Sequence, residues 1–123
     1  MPLKPTTKIP LVDTANDTGH VVKYILEHPG ECLGKVVEVS GGYYEAQEMA
    51  KAFTEATGKP VIYTQIPYEA ASMHELSQML KAIDEFDVFG GRSGFLEYNK
   101  EMDYNFVTPV EFWKNRNWNG PSK

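Results

Sequence analysis

Residues 35–67 read KVVEVSGGYYEAQEMAKAFTEATGKPVIYTQIP. The first part, Lys35 to Ser40, is short and rich in valine, the composition of a strand. Gly41-Gly42 then turns the chain into a helix whose apolar positions Ala46, Met49, Ala50 and Phe53 recur at i, i+3, i+4 and i+7. Gly58 is placed to end that helix, because glycine enters the left-handed conformation at a C-terminus without strain. Val61 to Ile66 reads as a second strand, closed by Pro67. Strand, helix and strand in this order predict an α/β (α+β) domain.

Working outward, Ile9–Val12 is a short apolar run and the third candidate strand. A polar turn follows, and Asp17 or Thr18 can cap a helix carrying Val21, Val22, Ile25 and Leu26 on one face. His28-Pro29-Gly30 stops it. On the other side, a long helix is expected from near Tyr68 to about Phe86, with Met73, Leu76, Met79, Leu80 and Ile83 as its buried stripe. Asp87 to Phe95 is a glycine-rich, aromatic loop, and Thr108-Pro109 opens a last helix with threonine as cap. The expectation is one small domain spanning residues 1–123, with two or three short strands and about four helices.

The net charge of −5 excludes a basic stripe able to neutralise phosphates, so neither nucleic acid nor an anionic membrane surface is expected as a partner. No stretch approaches the roughly 20 apolar residues of a membrane helix. The opening Met-Pro-Leu-Lys-Pro lacks the apolar run of a signal peptide, and the lone Cys32 has no disulfide partner. A cytoplasmic location is expected.

Six features in order carry a resemblance to a family. They are Asp13-Thr-Ala-Asn-Asp-Thr-Gly-His-Val-Val, the Leu33-Gly34-Lys35 passage into a strand, the Ala- and Glu-rich helix, the Gly58-Lys59 turn, the Val61-Ile-Tyr strand ending in Pro67, and the closing Thr108-Pro109 helix. From about Lys8 to Trp118 the chain resembles the substrate-side part of the NmrA-like family of atypical short-chain dehydrogenases. That resemblance implies a substrate-side domain standing without the family's N-terminal Rossmann half. A dinucleotide needs a Gly-rich turn between strand and helix so that backbone N–H groups can hold the pyrophosphate. Gly41-Gly42 lacks the third glycine and Gly90-Gly91-Arg92-Ser93-Gly94 follows a helix, so no nucleotide cofactor is expected. No His or Cys pair has metal-ligand spacing, and no metal is expected.

The candidate catalytic residues are His74, Tyr68, Asp84 and Tyr44. His74 sits in the long helix with Asp84 and Tyr68 on neighbouring elements, where it could move a proton or simply face solvent. His20 and His28 read as helix-end residues, and Cys32 as a buried thiol with no cation beside it. Tyr43-Tyr44 stands where the family usually places an apolar residue and a capping threonine; a lost cap costs roughly 1 kcal/mol. A phenol there can donate to a carbonyl or enolate, or pack with its hydroxyl at the rim. Tyr43, Tyr63, Met73, Met79, Phe86, Phe89, Phe95 and Tyr98 would line a pocket between the long helix and the Phe89–Phe95 loop.

Two functions remain open. The first is a cofactor-independent isomerase, cyclase or dehydratase acting on a small apolar oxygenated metabolite of secondary metabolism. The second is a non-catalytic binding or regulatory module that pairs with a protein, such as a separate Rossmann subunit or, as the resemblance implies, a transcription factor. Either way an apolar face is expected to lie exposed, and a homodimer is the simplest cover for it.

Overall fold

A computed structural model describes residues 1–90, 92 and 94–118, with only the backbone described for 94–96. Among these residues the fold is mixed α/β, with six helices and one two-stranded antiparallel sheet. The strands are β1 (Lys8–Leu11) and β2 (Gly42–Glu45). The helices are α1 (Thr18–Glu27), α2 (Pro29–Cys32), α3 (Ala46–Thr57), α4 (His74–Phe86), α5 (Gly94–Glu101) and α6 (Pro109–Arg116).

In the sheet Lys8 faces Glu45, Ile9 faces Tyr44, Pro10 faces Tyr43 and Leu11 faces Gly42. Gly41 closes the ladder by donating its N–H to the Leu11 carbonyl at 2.6 Å. A side chain at Gly41 would meet that oxygen and Phe106 Cβ at 3.2 Å, a crowded approach that glycine avoids.

β1 and the α1 start fall where the sequence places them, as do Gly58 with φ of 71° and the Thr108 cap of α6. Lys35–Ser40 does not form its expected strand. It runs outside the sheet with Val36 87% exposed, and pairing begins at Gly42 instead. β1 has four residues to offer, and the Ser40 hydroxyl reaches Leu11 O and accepts the Gly42 N–H, which steers residues before 40 away. Valine favours strands because it fits a half-buried pleat, and without a neighbouring strand that preference has nothing to act on.

Val61–Ile66 is likewise outside any described sheet. Met1–Leu3 hold it: Ile66 donates to Met1 O at 3.2 Å and the Tyr63 hydroxyl to Leu3 O at 2.7 Å. The long helix starts late, since Tyr68–Ala70 is a single 3-10 turn and Met73 is extended at φ −134°. Its expected buried stripe is also corrected. Leu80 and Ser77 are buried, whereas Met73, Leu76 and Met79 stand exposed. The Asp87–Phe95 loop gives way to α5 at Gly94. No cap is lost at Tyr43-Tyr44 either, because Glu45 is the N-cap of α3 and its N–H is taken by the Glu48 carboxylate at 2.7 Å.

The core is small: Leu3, Val21, Tyr24, Cys32, Ala46, Ala52 and Leu80. A folded monomer of 13.9 kDa exposes about 6,700 Å² by the usual scaling with mass, whereas this chain exposes 8348 Å².

Candidate functional site

Three places in this fold could hold chemistry. The first is polar. Asp84, near the end of α4, accepts hydrogen bonds from the Thr7 and Tyr68 hydroxyls and from the Lys4 N–H at 3.2 Å. Burial pushes the Asp84 carboxyl up, but these three donors outweigh it and hold it below its ordinary value. Tyr68 is pushed up to about 12, first by the Asp84 bond and then by burial. Two expected site residues therefore meet. His74, at the opposite end of α4, is exposed and separated from Asp84 by about 15 Å of helix rise.

A carboxyl with a depressed pKa stabilises the fold only while it is ionised. Asp84 contributes fully above the unfolded value of about 3.9 and loses that contribution as pH falls through its lower folded value. Asp84→Asn should thus flatten the acid limb of a thermal-stability profile below about pH 4. An unchanged limb in calorimetry would remove Asp84 as the latch on the N-terminal segment.

The second place is a groove of about 970 Å³ between α3 and the extended segment after Gly58. Its walls are Met49, Ala50 and Phe53 of α3, Val61, Ile62 and Tyr63 of the segment, and Trp113 and Trp118 beyond. Phe53 meets Trp113 edge-on at 5.1 Å and Trp118 at 5.5 Å, so the floor is an aromatic cluster. Of the expected lining residues, Tyr63 alone belongs here, and its hydroxyl is held by Leu3 O. Sequence reasoning missed Trp113 and Trp118 as a site, although they are the chain's two tryptophans, and Phe53 had already appeared on a helical stripe.

The third is a polar hollow of about 490 Å³ beside Tyr44, with Asn99, Tyr104, Phe106 and Glu111. Asn99 donates to Ser40 O at 2.7 Å, and its own Oδ1 is buried without a partner. The Tyr104 hydroxyl goes to Asp17 and the Glu111 carboxylate to the Thr108 cap, leaving Tyr44 at the wall.

Elsewhere, Tyr43 donates to Asp87 at 3.2 Å and meets Phe89 edge-on at 6.4 Å, tying β2 to the residues after α4. Met73 just before α4, and Met79 and Phe86 along it, are exposed, and Tyr98 is half-buried on α5. The Phe95 side chain lies outside the described residues. Among the described residues no group of three His, Cys, Asp or Glu side chains is placed to hold a metal ion, and no helix is long and apolar enough to cross a membrane.

No curated protein matches the chain. The model of the NmrA-like family matches residues 1–115 of this 123-residue chain, and the chain belongs to the NmrA-like family.

Proposed function

We propose that this NmrA-like chain is a binding module that holds its partner by apolar contact and moves no proton. The observation that carries the reading is a division of labour between polar and apolar surfaces. A groove of about 970 Å³ is walled by aromatic and aliphatic side chains, whereas Asp84 and Tyr68 are committed to fastening the N-terminal segment. A general acid or base works best with a pKa near the working pH. Here the phenols move the other way: burial raises Tyr24, Tyr43, Tyr44, Tyr63 and Tyr104, and the Asp84 bond raises Tyr68. The cytoplasm suits such a module, since Cys32 is a buried free thiol.

The enzyme reading keeps one observation in its favour, the unpartnered Asn99 Oδ1 in the hollow beside Tyr44. A small oxygenated metabolite with an O–H or N–H could donate to it while Tyr44 donates to the metabolite's carbonyl. Spectrophotometric titration of the phenols separates the two. The module reading expects Tyr24, Tyr43, Tyr44, Tyr63, Tyr68 and Tyr104 to ionise above the ordinary value of about 10. A phenol ionising in the neutral range, and abolished by Tyr44→Phe, would overturn that reading and move the site to the Tyr44 hollow.

A further inference from the structure

The chain carries two apolar surfaces of opposite shape, and among the described residues neither is covered. The concave one is the groove over Phe53, Trp113 and Trp118, with Ile62 87% exposed on its segment wall. The convex one is α4. Leu76, Met79, Ile83 and Phe86 recur at i, i+3, i+7 and i+10, which puts them on one face of the helix. Ser77, Leu80 and Asp84 form the edge that packs on the rest of the chain. The outer face keeps Met79 51% and Phe86 65% exposed. A helix with that pattern normally buries its apolar face.

We infer that α4 of one copy seats in the groove of a second copy, reciprocally, to give a two-fold dimer. The inference deepens the binding-module reading and rests on it. Three features select a second copy as the occupant. Amphipathic helices dock in apolar grooves through anchors at this spacing, and the chain supplies both helix and groove. In length, α4 spans about 20 Å at 1.5 Å per residue, and the groove's segment wall, residues 59–66, spans about 26 Å if extended. In area, the chain exposes about 1,700 Å² more than its mass calls for, against the about 800 Å² per partner that a stable interface buries. A reciprocal arrangement covers both surfaces in both copies and closes, whereas a one-way arrangement would grow into filaments.

Light scattering of the whole chain at micromolar concentration should give twice the 13.9 kDa monomer mass. Met79→Glu on the helix and Ile62→Glu in the groove should each give a monomer with unchanged circular dichroism, since both side chains already face solvent. Mixing Met79→Cys chains with Ile62→Cys chains under mild oxidation should then yield a disulfide-linked pair that neither forms alone. A monomeric wild type, or a dimer that survives both glutamates, overturns the inference. So does a monomer whose groove takes up 1-anilinonaphthalene-8-sulfonate with quenching of tryptophan fluorescence. That last outcome would leave the binding-module reading standing with a small apolar ligand in place of a second copy, whereas a neutral-range phenol strikes the reading itself.

Discussion

Asp17→Ala is expected to lower the unfolding temperature by about 10–20 °C, the largest loss from any single polar substitution in this chain. Asp17 is fully buried at the start of α1. Its carboxylate accepts the Asp13 N–H at 3.0 Å, the Tyr104 hydroxyl at 3.0 Å and the Val107 N–H at 3.2 Å. One side chain thereby joins the turn after β1 to the segment that leads into α6. Alanine would leave three donors without their acceptor, each costing about 1–3 kcal/mol where water cannot reach. Partial access by water brings the total to about 3–5 kcal/mol, against a stability of about 5–15 kcal/mol for a typical domain. Asp17→Asn retains one carbonyl oxygen and should lose roughly half as much. Thermal unfolding followed by circular dichroism reads both, and a shift below about 3 °C for alanine would mean that Asp17 is not the joint described here.

Asp17 also shows what could be read without coordinates. Its position before Thr18-Gly19 marked it as a helix cap, a local role that depends on neighbours in sequence. Its backbone carbonyl does accept from His20 and Val21 N–H groups, but the side chain spends itself on Tyr104 and Val107, about ninety residues away. Several local signals held: the Gly58 C-cap, the Thr108-Pro109 start of α6, and the helical spacing of Ala46 to Phe53. Each is decided within one or two turns of chain.

Strands are different, because a strand is stable only through a partner that sequence does not name. Lys35–Ser40 and Val61–Ile66 have the composition of strands, and the chain extends through both without a described ladder. Tyr43-Tyr44, read as a corner, became the paired strand because Ile9 and Pro10 lie opposite. The site followed the same logic. Tyr68 and Asp84 meet because the 3-10 turn and α4 are adjacent in sequence and pack together. His74 shares a helix with Asp84 but sits at its far end. The groove, by contrast, needs α3, the 59–66 segment and α6 to converge, and no spacing within any of them announces it.

That convergence makes Trp113 the second position of large effect. Trp113 stands edge-on to Phe53 at 5.1 Å and to Phe112 at 5.2 Å, and leans on Trp118 at 5.5 Å. It lines both the large groove and the smaller hollow of about 260 Å³ bounded by Leu11 and Val107, so with Met49 it forms the wall between them. Trp113→Ala should merge the two and remove the main contact between α3 and α6, at a cost of about 2–4 kcal/mol, below the fully buried range because the ring is half-exposed. The unfolding temperature should fall by about 8–15 °C. Trp118→Ala isolates the docking role, since that ring is 43% exposed at the rim and touches the fold through fewer partners. Its own fold should lose about 1 kcal/mol, while the midpoint for dimer dissociation moves to higher protein concentration. Unfolding temperatures measured across a dilution series distinguish the two effects. The Trp113 loss should persist at every concentration, whereas the Trp118 loss should shrink to about 4 °C where the wild type is monomeric and grow where it is dimeric. If Trp113→Ala leaves the unfolding temperature of the monomer unchanged, then α6 is not held through this ring, and the groove has no fixed wall against which a partner helix could pack.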